Sequence, residues 1–316
     1  PGRAADHRHT VLCEPVGPAC AFAAWNFPGT NVIRKIAHAL GAGCSRVPAM
    51  LAAPAAASRL LSHRPLFDNL VRREVRQRYK GSVIGLMWTL INPIIMVGVY
   101  SVVFRYLLRF DSISPYALFL FVGLTVWTFF SGGVQVATSS LVSNSHLVTK
   151  VAFPREIVPL AAITANAFTA AAMLAIALPL CLFFAPLDGY QPLVILPVLI
   201  ALLAALTVGL SLLLAALNVY YRDTEYLYGA LSLPWFFLSP IFYTYEVLSG
   251  VDGWVINVLH YVNFASPFLL AIQDVMFFGR WPDPIDVAYM AVASVVALMA
   301  GGWVFRRLER DMALQL

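Results

Sequence analysis

Residues 66–104 read LFDNLVRREVRQRYKGSVIGLMWTLINPIIMVGVYSVVF and divide into two halves of opposite character. The first, up to Lys80, carries Arg72, Arg73, Arg76, Arg78 and Lys80, with Arg64 just before it. The second, residues 81–104, has no charged side chain in 24 residues. A helix of that length covers about 36 Å, enough to cross a hydrocarbon core of about 30 Å with some tilt. A basic collar beside an uncharged span also sets orientation, because loops rich in Lys and Arg stay on the cytoplasmic side.

The collar has a pattern of its own. Ser62-His63-Arg64-Pro65 makes a helix start with proline near the first turn. Phe67, Leu70, Val71, Val75 and Tyr79 then recur at helical spacing, with Arg72, Arg73, Arg76 and Gln77 on the other face. The pattern fits an amphipathic helix lying in the membrane interface. A solvated helix packed on a soluble partner has the same pattern. Adjacency to a span favours the interface.

The whole chain follows suit. It has 316 residues, 60% hydrophobic and 12% charged, where soluble domains carry about 25% charged residues. Uncharged runs longer than about 18 residues recur, which predicts an all-α, polytopic membrane protein. They are continuous rather than alternating, which excludes a membrane β-barrel. The net charge of +5 comes mostly from residues at span ends, so it marks topology and not nucleic-acid binding. Cys13, Cys20, Cys44 and Cys181 form no CxxC and no zinc-type cluster with histidine.

Six spans are expected. They are residues 81–104, 116–137, 157–184, 192–217, 226–243 and 287–305. Asn92-Pro93 predicts a kink in the first, and Pro234 and Pro240 interrupt the fifth. Residues 253–273 are uncharged and long enough for a seventh span, but hold Asn257, His260, Asn263 and Ser266-Pro267. Parity decides. Six spans keep Arg72, Arg73, Arg76, Arg78, Lys80, Lys150, Arg155, Arg222, Arg306, Arg307 and Arg310 inside and leave Arg105, Arg109 and Arg280 outside. Both termini are then cytoplasmic. Residues 244–284 become an outer-face element of short or re-entrant helices.

Residues 1–60 differ from the rest. They mix Ala, Gly, Pro and Arg without a period, and the apolar core of a signal peptide is interrupted by His38 and Arg46. The segment is expected to be poorly ordered, with Met50 as the natural start and residues 62–313 as the membrane domain.

Catalytic motifs are missing. There is no G-x-x-x-x-G-K-[ST], no G-x-S-x-G and no H-E-x-x-H. Asp, Glu, Lys and Arg are absent from the span centres, which argues against an ion-coupled carrier. Energy for transport would then come from a partner. Two features remain. The inner loop after span two, with Lys150, Phe153, Arg155 and Glu156, is placed to dock a cytosolic partner or to serve only as a positive-inside loop. Span five is rich in aromatics, including Trp235, Phe236 and Tyr243, which suit either helix packing or the apolar faces of sugars.

The motifs together resemble a known family. Arg78-Tyr-Lys-Gly-Ser-Val-Ile-Gly-Leu-Met-Trp-Thr-Leu-Ile-Asn-Pro93 is similar to the start of the first span in ABC-type polysaccharide export permeases. Phe153-Pro-Arg-Glu156, Asn218-Val-Tyr-Tyr-Arg-Asp223, Trp235-Phe-Phe-Leu-Ser-Pro-Ile-Phe-Tyr243, Ser266-Pro267 and Gly279-Arg-Trp-Pro282 follow in that family's order. The resemblance covers residues 62–313. Residues 1–49 have no recognised counterpart, which fits a start at Met50.

The resemblance implies a homodimer paired with two copies of a separate ATPase subunit, which binds ATP and Mg, with no cofactor in this chain. It implies a permease in the cytoplasmic (inner) membrane that exports lipid-linked polysaccharide of the O-antigen, capsule or teichoic acid kind. Carried onto this chain, the ATPase-coupling loop is about residues 143–155, with Ser143, Lys150, Phe153, Pro154, Arg155 and the adjoining Glu156. The interfacial helix would offer Arg72, Arg73, Arg76, Arg78, Tyr79 and Lys80 to substrate and ATPase. Residues 246–283 would form gate helices. Trp88, Tyr100, Trp127, Phe130, Trp235, Phe236 and Tyr243 are the candidate channel aromatics. A drug or small-lipid exporter permease is the alternative within the superfamily. A membrane-embedded glycan or lipid enzyme is the alternative outside it.

Overall fold

The computed structural model describes residues 63–81, 84–107, 113–150, 153–245, 252–309 and 311–315, all within the compact unit Ala52–Leu316. The expectations for residues 1–60, the start at Met50 and the outer-loop Arg109 lie outside these residues. Among the described residues there are helices and turns and no strand.

The helices are α1 (Arg64–Tyr79), α2 (Trp88–Ser101), α3 (Tyr116–Ser143), α4 (Ser145–Lys150), α5 (Ile157–Phe184) and α6 (Leu196–Tyr220). After them come α7 (Asp223–Leu238), α8 (Gly253–Asn257), α9 (Ser266–Gln273), α10 (Pro284–Leu308) and the short α11 (Met312–Gln315). α2 starts from a 3-10 turn, Gly85–Met87, and runs on into a π-helical turn, Val102–Leu107. α8 and α9 also pass into π-helical turns, Val258–Val262 and Asp274–Phe278.

Four of these are long and apolar enough to cross a membrane: α3, α5, α10, and α6 together with its lead-in turn, Gln191–Tyr220. Together they make this a multi-pass membrane protein. Residues 157–184 form one helix, with the bounds expected for span three. α8 and α9 make one bent pair, turned by 95° at the break. Such a bend is the shape of a broken span or of a re-entrant loop. α2 and α7 are shorter, at 14 and 16 residues, where a straight crossing takes about 20.

Span two exceeds its expected end. The polar residues 138–143 continue α3, because hydroxyls can bond the preceding turn of their own helix. Thr138 Oγ1 donates to the Val134 carbonyl and Ser140 Oγ to the Ala137 carbonyl, both at 2.7 Å. The helix stops at Asn144, whose backbone leaves the helical region.

Two apolar cores result. The larger gathers α3, α5, α6 and the α8–α9 element, with Tyr116, Phe119, Phe130, Phe242, Phe268 and Phe277 fully buried. The smaller joins Leu70 and Val71 of α1 to Leu141, Ile157, Leu212, Phe305 and Met312. The stripe read on α1 is therefore spent on protein, with Phe67 and Val75 beside it, while Arg72, Arg73 and Arg76 stay exposed.

α6 and α10 cross at a contact that only glycine permits. A Cβ on Gly301 would overlap the Gly209 carbonyl oxygen, and one on Gly209 would overlap the Ala297 backbone. Such close approach maximises dispersion contact where no hydrophobic force separates helix from lipid. Ser294 Oγ adds a hydrogen bond to the Leu202 carbonyl at 2.8 Å.

Candidate functional site

Pro93 removes one backbone donor from α2, whose start follows the 3-10 turn Gly85–Met87. α2 packs on α3 and only slightly on α5, which leaves a cleft of about 490 Å³. Trp88 and Tyr100 from α2, Trp127 from α3 and Phe236 from α7 give it ring surfaces. Asn92, Thr128, Asn166, Thr169 and Ser232 give it polar groups, and Arg78 reaches in from the end of α1.

Four of the seven aromatics named from the sequence meet in this cleft. The others do not. Phe130 is fully buried behind the wall. Trp235 packs edge-on against Trp127, Phe130 and Phe264, with centroids 5.9, 5.4 and 4.8 Å apart. Its Nε1 donates to Asn263 Oδ1 at 2.6 Å, which ties α7 to the break between α8 and α9. Tyr243 donates to the Leu238 carbonyl at 3.0 Å, away from the cleft lining.

The arrangement can guide a long amphiphile without trapping it. Ring faces accept apolar surfaces, and the hydroxyls and amides between them form replaceable hydrogen bonds. The sequence reading missed Asn92, Thr128, Asn166 and Thr169. Their signal was polarity inside apolar runs, with Asn166 well inside the 28-residue α5.

On the collar, Arg72, Arg73, Arg76 and Lys80 are exposed, while Arg78 is partly buried in the cleft. Tyr79 ends α1, and its side chain lies outside the described residues. Arg73 Nη2 donates to Asn144 Oδ1 at 2.7 Å, and Asn144 Nδ2 donates to the Ser140 carbonyl at 2.9 Å.

The loop expected at residues 143–155 contains the helix α4. Ser143, His146, Thr149 and Lys150 are exposed, Phe153, Pro154 and Arg155 are half-buried, and Glu156 is buried. Arg155 is turned toward the end of α10, where its backbone N–H donates to Glu309 Oε1 at 3.2 Å and its guanidinium to the Glu309 carbonyl. Tyr220 donates to the neighbouring Leu308 carbonyl at 2.9 Å. The exposed polar side chains of this segment are thus on α4, while Arg155 is tied to the end of α10.

At the opposite end, His260 Nε2 lies 2.7 Å from Asp286 Oδ1, which joins the α8–α9 element to the start of α10. Arg280 Nε bonds Asp188 Oδ2 at 2.7 Å across the turn where Gly279 takes φ +65°. A Cβ at Gly279 would clash with the Gly189 backbone, so both the turn and the close approach require glycine. Among the described residues no cluster of three or more His, Cys, Asp or Glu side chains could hold a metal ion.

Residues 65–277 match the family model of the ABC-2 type transporter. The chain is 30% identical over 257 residues to an O-antigen export system permease protein RfbA of Myxococcus xanthus, covering 80% of this chain and 96% of that protein. A Klebsiella pneumoniae protein of the same name is 27% identical over 256 residues, covering 78% of this chain and 95% of that protein.

Residues 1–63 match a different family, aldehyde dehydrogenase. There, 47 residues are 49% identical to a 3-sulfolactaldehyde dehydrogenase of Pseudomonas putida, spanning 10% of that enzyme. This corrects the reading that residues 1–49 have no counterpart. A tenth of an enzyme is too short to form that enzyme's core.

Proposed function

Because the chain belongs to the ABC-2 type transporter family, we propose that it is the permease subunit of an ATP-driven exporter of lipid-linked polysaccharide, O-antigen-like or capsular, across the cytoplasmic membrane. It is a transport subunit and not an enzyme: the relatives over most of the chain are permeases. With no P-loop in this sequence, ATP and Mg would be bound by a separate ATPase chain.

The observation that carries the reading is the cleft. Its rings fit the apolar faces of successive sugars, and its polar groups are neutral apart from Arg78. A repeating polymer needs such a lining, since tight subsites would arrest it at every repeat.

The other roles follow. α2 and α7 complete six crossings with the residues flanking them, and both termini are cytoplasmic. α1 lies at the inner membrane face, its arginines toward headgroups and ATPase. α4 docks on the ATPase, and the α8–α9 element gates the outer end. α2 exposes Ile94, Ile95 and Val99, the turn after it exposes Val102, and α7 exposes Leu227, Leu231 and Leu233. These apolar faces suit a second copy, giving a homodimer with two ATPase subunits around a shared path.

Deleting the gene in its host should abolish long-chain polysaccharide at the cell surface while lipid-linked polymer accumulates inside, and the wild-type gene should restore export. Normal surface polysaccharide together with lost drug or small-lipid efflux would assign the chain to the other exporter class.

A further inference from the structure

The bent pair has a firm half and a loose half. In α9, seven of the eight residues are buried. From Gly253 to Val262, across α8 and its π-helical turn, none is. Trp254, Val258 and Val262 leave their apolar side chains exposed. Apolar burial therefore does not hold this half in place, and its polar ties set how readily it opens.

Two such ties reach the first two turns of α10. Tyr289 Oη donates to the Tyr261 carbonyl at 2.7 Å, and His260 Nε2 meets Asp286 Oδ1 at 2.7 Å. A third, from Ser266 Oγ to the Leu259 carbonyl at 3.0 Å, stays within the bent pair. The hydroxyl ties are constant near neutral pH, since phenols ordinarily titrate at about pH 10. The histidine tie is different in kind, because imidazole ordinarily changes charge between about pH 5 and pH 8.

The surroundings of His260 suit a switch. The rings of Tyr245 and Tyr261 flank the imidazole, with centroids 5.4 and 4.4 Å away, and Tyr289 packs behind Tyr261. These phenols carry no charge near neutral pH, so the charged group facing His260 is the Asp286 carboxylate. Both side chains of the pair are 13% exposed. Protons can reach the bond, while most of the screening water is kept off it. A neutral imidazole offers Asp286 an N–H; an imidazolium adds the attraction of opposite charges.

We propose that His260 and Asp286 form a pH-set latch: proton uptake by the imidazole fastens Gly253–Val262 to α10, and proton loss loosens it. The tie is strongest on the acid side of the imidazole range and weakens as pH rises through it. Its bearing on transport rests on the gate role proposed for the α8–α9 element.

The test follows hydrogen–deuterium exchange in the full chain, held in zwitterionic nanodiscs, at about pH 5.5 and about pH 8. Rates are corrected for the intrinsic effect of pH on exchange. Amides of residues 255–262 should open at least about threefold less often at the lower pH, and those of α9 should not change. His260→Gln keeps a neutral donor for Asp286 and should abolish the difference. Asp286→Asn keeps an acceptor without the charge and should abolish it as well. A pH difference that persists in a variant as thermally stable as wild type overturns the latch, as does its absence from wild type. Should one variant lower the melting temperature, the other variant and the wild-type profile decide.

Export separates the latch from the gate. In host cells grown at about pH 5.5 and about pH 8, surface polysaccharide should fall at the lower pH with the wild-type gene and not with His260→Gln. Equal profiles for the two genes beside pH-dependent exchange would support the latch and remove the gate role. Loss of the exporter reading would leave the exchange result standing.

Discussion

Arg155 holds the end of the last long helix: its backbone N–H bonds the Glu309 carboxylate, and its guanidinium bonds the Glu309 carbonyl. On the other side of the same loop, Arg73 bonds Asn144 at 2.7 Å. The segment that carries the short helix α4 is therefore tied before it, at Asn144, to α1 and after it, at Arg155, to the end of α10.

Arg155→Ala should remove the tie to α10. Export per ATP hydrolysed is expected to fall about tenfold or more while the ATPase remains bound, because one charged contact contributes about 1.5–3 kcal/mol. Glu309→Gln keeps the carbonyl as acceptor and should cost less. The ratio of polymer released to phosphate released in proteoliposomes checks this. An unchanged ratio for Arg155→Ala would mean the tie carries no force.

Lys150→Glu should act differently. Lys150 is exposed on α4 and outside both ties. Reversal of its charge should weaken co-purification of the ATPase subunit with little change in the thermal stability of the permease alone. If the complex survives intact, the docking face lies elsewhere.

Trp235→Ala should be a folding variant. The ring packs on Trp127, Phe130 and Phe264, and its N–H holds Asn263. Truncation is expected to cost about 3–5 kcal/mol, seen as lost membrane protein by immunoblot. Tyr100→Ala, in the cleft wall, should instead leave protein levels near normal and slow polymer export. The reverse pattern would exchange the two assignments.

Gly301→Ala and Gly302→Ala form a matched pair. At Gly301 the added methyl meets the Gly209 backbone, whereas at Gly302 nothing lies within 4 Å. The first should cost about 3 kcal/mol or more by forcing the helices apart, and the second should be near neutral. Melting temperatures in detergent separate them.

Much of the fold was legible because membrane helices announce themselves by length. α5 agrees with its expected span to the residue, since a continuous uncharged run between Glu156 and Pro186 leaves little choice. Misplaced ends had local causes: α3 overran because Thr138 and Ser140 satisfy their hydroxyls within the helix. The candidate site was less legible. Trp127 and Trp235 are both aromatics in spans, yet one lines the cleft and the other packs behind it. Residue type cannot separate them, because helix rotation is set by partners distant in sequence. Arg155 was read as a surface contact for the same reason: its partner, Glu309, lies 154 residues away.

The glycine crossing has a mechanical consequence. Two helices touching backbone to backbone cannot slide without a collision, so α6 and α10 form a fixed post. α2, which packs on α3 and only slightly on α5, is the loose slat opposite. Any widening of the cleft is therefore expected to come from movement of α2, with the α6–α10 contact left in place.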